Sequence, residues 1–295
     1  MRERQPPPEP KTRTETAKQH GLTACKAGVF NDTRISAIQS RHSAQVDSTL
    51  LMKISVYAIN LDRSADRWSE LHQQAETLDL QLIRVPAIDG AKLSPHDWHD
   101  CDDREFQRRN GRLVLPGEYG CYKSHLKALA AFIASGDPAA VIVEDDVRLT
   151  TDLAERIQAL MTARPEAELI KLYNHRIVWF RHFATSSHGD EIGRAAHGPQ
   201  GSAACYLVTR SGALKLLKSL KVMHYPWDVA LERAWVTGAR TYATREPVVQ
   251  STHARTTIAT GSAYRASKFR WWKRMSTYAM RTIESARRIF YALIG

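Results

Sequence analysis

Apolar residues show no sustained period before Lys53; from there they fall into short runs that alternate with helical spacings. Ile54, Val56, Ala58 and Ile59 form a β run that ends in the polar stretch Asn60–Arg63. Trp68, Leu71, Ala75 and Leu78 follow at spacings of three and four, which predicts a helix. A second β run covers Leu82 to Ile88 and closes at the turn pair Asp89-Gly90. The Asp- and Arg-rich stretch 94–112 has no clear period and reads as a surface loop. Leu126, Leu129, Phe132 and Ile133 share one face of a helix expected over 118–135, with Gly136 and Pro138 where it would stop. Val141, Ile142 and Val143 make a buried-strand run leading into Glu144-Asp145-Asp146. Beyond it the pattern predicts a helix over 151–163, strands over 168–173 and 203–209, and a helix over 211–220, with 174–202 left as loop. Strands alternating with helices predict an α/β fold with a mostly parallel sheet flanked on both faces by helices, and no internal repeat is visible.

Residues 1–51 run from a proline-rich start (Pro6, Pro7, Pro8, Pro10) into Thr, Ser, Arg and Gln. Such a segment reads as disordered, or as sequence ahead of a true start at Met52; the abrupt onset of periodicity favours the second. The expected organisation is thus an N-terminal extension (1–51), a folded domain (52–263) and a C-terminal helix (264–295).

Charge sharpens this division. The chain of 295 residues carries a net +11. Residues 264–295 hold eight Lys/Arg against Glu284 alone, whereas 52–263 is nearly neutral, with 26 basic and 25 acidic residues. The basicity therefore belongs to the ends, which argues for a local anionic partner rather than a uniformly basic surface. Four scattered cysteines (Cys25, Cys101, Cys121, Cys205) form no metal-ligand spacing and read as reduced thiols of a cytoplasmic protein. No segment reaches the roughly 18 apolar residues of a membrane span, and no export signal is legible.

The acids after Val143 carry the first chemical signal. Ligands of open α/β sheets bind outside the carboxyl ends of strands, where Glu144, Asp145 and Asp146 are expected. Three anions in a row repel one another unless a cation or hydrogen bonds compensate. A hard divalent ion would do so and would also neutralise a diphosphate. Strand alternation puts Glu144 and Asp146 on one side and Asp145 on the other.

Three segments in order, Asn60-Leu61-Asp62-Arg63 with Arg67, Gly117-Glu118-Tyr119-Gly120-Cys121 with Ser124-His125, and Glu144-Asp145-Asp146, resemble glycosyltransferase family 25, the lipooligosaccharide and lipopolysaccharide galactosyltransferase type. The resemblance covers roughly residues 52–250. It implies a GT-A-like, Rossmann-type fold, a UDP-sugar donor such as UDP-galactose, Mn²⁺ or Mg²⁺ as cofactor, and inversion at the anomeric carbon. Carried over by position, Asp146 is the metal ligand and Glu144 touches metal or ribose. Asn60, Asp62, Arg63, Arg67 and Asp145 lie where such a fold receives the nucleotide, and Glu118, Ser124 and His125 hold the donor pocket. By analogy with other GT-A enzymes, His253 completes the metal shell or touches phosphate.

An inverting transferase needs a group to take the acceptor hydroxyl's proton. Tyr225-Pro226-Trp227-Asp228 offers a fixed turn, a flat ring for a sugar and an acid; Asp228 also suits a helix N-cap. Glu232, one turn later, is the second candidate base. In the tail, Phe269, Trp272, Ala279, Ile283 and Phe290 share one helical face, with Arg270, Lys273, Arg274, Arg281 and Arg288 towards the other. That pattern over 264–290 reads as a helix lying on the anionic inner face of the cytoplasmic membrane, where a lipid-linked glycan acceptor would stay. The alternative is a helix packed on the domain with its basic side solvated. A nucleic-acid-binding protein gripping through the tail is a rival reading, as is a module that binds nucleotide sugar without turnover. The neutral middle counts against the first, and nucleic acid is not an expected partner. A metal-dependent phosphohydrolase would need a second His/Asp set, which the sequence does not offer.

Overall fold

The computed structural model describes residues 54–252 and 261–294. The reading of 1–51 and the assignment of His253 fall outside the described residues. Strand β1 (Ser55–Asn60) leads through helix α1 (Ala65–Thr77) to β2 (Leu82–Pro86), and helix α2 (Asp103–Asn110) precedes the long α3 (Pro116–Ser135). Then come β3 (Ala139–Glu144), β4 (Val147–Arg148), α4 (Leu153–Ala163), β5 (Leu169–Lys171), β6 (Val178–Thr185) and β7 (Glu191–His197). Strand β8 (Cys205–Thr209), helices α5 (Arg210–Ser219), α6 (Trp227–Leu231) and α7 (Ala234–Thr237), and strands β9 (Thr241–Thr244) and β10 (Gln250–Ser251) complete this part.

Eight strands form one sheet in the order β2-β1-β3-β8-β5-β9-β7-β6, and β10 pairs with β4 beside it. Strands β2, β1, β3, β5, β9 and β6 point the same way, with β8 and β7 reversed. The result is the expected α/β sheet, parallel in its first three strands. Alternation along β1, β3 and β8 divides the core into two layers. Tyr57, Ile59, Ile142 and Tyr206 pack against α3 and α5, while Val56, Ala58, Val141 and Leu207 pack against α1 and α4. Burial on both faces explains why these strands read as continuous apolar runs. Truncating Phe132, fully buried under the first layer, to Ala is expected to cost about 3–5 kcal/mol.

Helix α3 begins at Pro116, whose missing N–H costs nothing at a helix start. It ends at Gly136, whose φ of 85° is the left-handed stop that glycine tolerates. The register places Ile59 beside Glu144, so the carboxyl ends of β1 and β3 are neighbours. Asn60–Arg63 and Glu144–Asp146 therefore emerge into one crevice.

Two stretches read as loops are structured. Within 94–112 lies α2, capped by the Asp102 side chain on the Glu105 amide at 2.9 Å and buried through Phe106. Within 174–202 lies the β6–β7 hairpin at the sheet's outer edge.

The C-terminal segment is broken into α8 (Gly261–Ala266), a 3₁₀ turn (Trp271–Arg274) and α9 (Met275–Leu293). Helix α9 docks on the domain through polar groups. Thr277 Oγ1 donates to the Arg108 carbonyl at 2.9 Å, Glu284 pairs with Arg233 at 2.7 Å, and Tyr291 exchanges bonds with Thr241. Arg288 is a correction to the sequence reading. It does not lie on a solvated basic face but is buried against Glu232 at 2.9 Å. Met275, Ala279, Ile283 and Phe290 point away from the domain into solvent. None of the described helices is long and apolar enough to cross a membrane.

Candidate functional site

The end of β1 is organised around Asn60. Its Nδ2 donates to Asp145 Oδ2 at 2.7 Å and its Oδ1 accepts from Arg84 at 2.7 Å. Arg67 approaches the other Asp145 oxygen at 3.2 Å. Asp145 is thereby compensated by a cation and an amide, and it tethers the two strand ends. Asp62 pairs with Arg84 at 2.8 Å on the surface, and Arg63 pairs with Asp89 across the crevice. Arg84 was not singled out in the sequence and Asp89 was read only as a turn residue, because their roles depend on how distant elements meet.

The start of α3 has a packing task. A Cβ on Gly120 would lie 2.5 Å from the Ile88 carbonyl, and one on Gly90 would lie 1.8 Å from the Pro116 carbonyl. The loop after β2 thus crosses α3 at backbone contact, which only glycine permits on both sides. Ser124 sits at the crossing, accepting from the Ile88 amide at 2.8 Å and donating to the Gly120 carbonyl at 2.6 Å. Glu118 accepts from Arg112 at 2.6 Å and from the Leu115 amide at 3.1 Å, so it closes the helix start. Both side chains build the wall of the site rather than project into it.

His125 is wholly buried. Its Nδ1 meets Tyr206 Oη at 3.1 Å and its Nε2 meets Glu144 Oε1 at 3.2 Å. The ring lies flat on Trp227, centroids 5.0 Å apart and planes within 8°. This corrects the expectation that Trp227 presents a face to sugar: it is 2 % exposed, and one face is taken by His125.

Asp146 differs from its neighbours. Its Oδ1 is buried without a hydrogen-bond partner. Burial first, then Glu144 and Asp145, push its carboxyl up to about 6, against the pull of Arg67. A buried carboxylate oxygen with no donor, beside a second carboxylate, fits a hard divalent cation.

Asp228 stands at the second residue of α6, after Pro226, not at the N-cap. Burial first and then Glu232 raise its carboxyl, and Lys171 opposes them. Glu232 is different. It accepts from Lys171 at 2.8 Å and from the Gln200 and Gly201 amides, and pairs with Arg288. Burial pushes its carboxyl up, but Lys171 and then Arg288 outweigh that and hold it low. So pinned, Glu232 is a structural anion with no open coordination for an acceptor hydroxyl.

Two cavities meet at these residues. One of about 280 Å³ opens over the β1 end and is lined by Leu61, Arg63, Asp89, His125 and Asp145. The other, about 670 Å³, is lined by Asp146, Tyr173, His175 and Asp228. Cys121 and Glu144 line both. Tyr173 and His175 were missed because Tyr173 reads as the apolar end of the strand expected over 168–173 and His175 falls in what reads as loop. Gln250 is held in the β4–β10 pair, which positions Asp146 through Thr252: the Thr252 amide and hydroxyl both donate to the Asp146 carbonyl, at 2.9 and 3.0 Å.

Comparison with known proteins points to one family. Residues 53–231 match the model of glycosyltransferase family 25 (LPS biosynthesis protein). A "Glycosyltransferase 25 family member" of Anopheles gambiae is 28% identical over 113 residues, 37% of this chain and 19% of that protein. The "Procollagen galactosyltransferase 1" of Danio rerio is 26% identical over 110 residues, 36% of this chain and 18% of that protein. A Rattus norvegicus relative, "Probable inactive glycosyltransferase 25 family member 3", is 28% identical over 110 residues, covering 36% of this chain and 19% of its own length. The chain thus matches about a fifth of the length of these relatives.

Proposed function

Because the chain belongs to glycosyltransferase family 25, we propose that it transfers a sugar, galactose in the leading case, from a UDP-sugar to a hydroxyl of a lipid-linked surface glycan of the lipopolysaccharide type. The observation that carries this reading is the meeting of two cavities at Glu144, one over the β1 end and one beside Asp228. The first is the donor side and the second the acceptor side.

In an inverting transfer the acceptor oxygen attacks the anomeric carbon as the bond to the diphosphate oxygen breaks. The acceptor's proton passes to a base and UDP departs on the opposite side. Asp228 suits the base, since its raised carboxyl binds a proton more readily than an exposed Asp would. Arg63 and Arg67, at the donor side, supply charge for phosphate. Asp146 and Glu144 would hold Mn²⁺ or Mg²⁺, which supplies neutralisation of the leaving diphosphate. Asn60, by fixing Asp145, keeps the two strand ends in register with that pair.

The outward residues of α9 support membrane contact. Trp271, in the 3₁₀ turn just before it, and Phe290 are each 68% exposed, and Arg281 and Arg287 are exposed on the same helix. Glu284, the lone acid of residues 264–295, faces inward to Arg233. Such a surface suits the anionic cytoplasmic leaflet, where a lipid-linked acceptor is presented.

Calorimetric titration with UDP, with and without Mn²⁺, tests the reading. Binding should need the metal and should be lost in Asp146→Asn. Absent or metal-independent binding in the unaltered protein would sink it. UDP binding without transfer of labelled sugar to any acceptor would identify a non-catalytic module instead.

A further inference from the structure

Beside the oxygen pair Glu144–Asp146 stands a second donor set of different chemistry. Cys121 and His125 are four residues apart on α3, so their side chains project from one face of the helix. Strand β3 delivers Glu144 beside them. The Cys121 Sγ, a His125 ring nitrogen and a Glu144 oxygen all lie within 4.8 Å of one another. Among the described residues no other group of three such side chains is gathered this closely.

We propose that Cys121, His125 and Glu144 form a site for a zinc-class divalent ion, sharing Glu144 with the harder oxygen site. The spacing of its nitrogen and oxygen donors agrees with tetrahedral coordination. Ligand bonds of about 2.0–2.1 Å place the nitrogen and oxygen donors of such a centre about 3.3 Å apart; here they are 3.2 Å apart. That is long for a charge-assisted hydrogen bond, which closes to about 2.7–2.9 Å. The outer shell is also in place. Tyr206 Oη lies 3.1 Å from Nδ1 and can accept its proton, the tautomer in which Nε2 binds an ion, and Trp227 fixes the ring plane. Metal-binding imidazoles are oriented by such partners. Thiolate and imidazole together select zinc, cobalt and similar ions over magnesium.

Three protein ligands leave one position for water or substrate. Because Cys121 and Glu144 line both cavities, that position lies at their junction. An ion bound there draws Glu144 towards α3 and away from Asp146. Zinc-class ions are therefore expected to weaken manganese-dependent nucleotide binding.

The test is titration of the metal-free full chain with Co²⁺, followed by absorption spectroscopy. A near-ultraviolet thiolate-to-cobalt charge-transfer band saturating at a single ion per chain is expected. It should vanish in Cys121→Ser, a nearly isosteric change, and persist in Asp146→Asn. Absence of the band in the unaltered protein, or its persistence in Cys121→Ser, overturns the proposal. The readout needs no nucleotide, so it stands apart from the manganese–UDP titration that tests the proposed function. If His125→Gln folds, it should keep the band but weaken cobalt binding at least tenfold, as loss of a ligand does; unchanged affinity would also overturn the site.

Discussion

Asp146 is the residue whose surroundings make the sharpest demand. Its carboxyl is raised from 3.8 to about 6, so the metal-free protein binds a proton there that the unfolded chain would release. The stabilisation from that proton is complete below about pH 4 and is lost as pH rises through 6. Without metal, the chain is thus expected to melt at lower temperature at pH 7.5 than at pH 5 through this group, and Asp146→Asn should flatten the difference; thermal scans at both pH values check it. A cation must displace the same proton, so Mn²⁺ affinity should fall about tenfold per pH unit below 6, measurable by titration. Glu232 makes the opposite demand. Glu232→Gln leaves Lys171 and Arg288 buried without their anion and is expected to cost about 3–5 kcal/mol in denaturant unfolding. The sequence made the acids conspicuous but not their division of labour. Asp145, Asp146, Asp228 and Glu232 are all carboxylates near strand or helix ends, and Lys171, Arg67 and Arg288 come to them from other elements.

At the scale of elements, the crossing of the β2 loop over α3 sets how closely the donor cavity is walled. Gly120→Ala drives a methyl into the Ile88 carbonyl and is expected to destabilise by about 1–3 kcal/mol. Because the same shift moves Ser124 and the Asp89 loop, UDP affinity should fall with it, read by melting and titration of one sample. Strands β1, β3 and β8 were legible because burial on both faces leaves unbroken apolar runs, and α3 because Leu126, Leu129, Phe132 and Ile133 share one face before the Gly136 stop. Helix α2 was not, since Phe106 is its sole buried side chain and its support comes from Asp102 capping and Glu105 pairing with Arg108. The β6–β7 hairpin escaped because its outer strand is half solvated and alternates weakly.

For the whole molecule, α9 joins two surfaces of opposite character. Its inward face is mainly polar and paired, and its outward face is apolar, with Arg281 and Arg287 exposed elsewhere on the same helix. Burial of one large apolar side chain contributes about 1.5–3 kcal/mol, so Phe290→Asp is expected to cut binding to anionic vesicles by at least about tenfold. Because Phe290 is exposed, its melting temperature should hold; sedimentation with vesicles and a thermal scan separate the two effects. Binding should also weaken with salt, as arginines near an anionic surface require. The tail's helical period was visible in the sequence, but which face turned inward was not, since that depends on Glu232, Arg233 and Thr241 meeting it. The contact between Arg288 and Glu232 also ties the far side of the crevice to α9. That helix supplies the second cation, beside Lys171, to an anion that packs behind the acid-bearing helix α6. A chain cut between α8 and α9, with α9 allowed to leave, lacks that cation. Such a cut would loosen the wall behind Asp228 without touching the crevice itself.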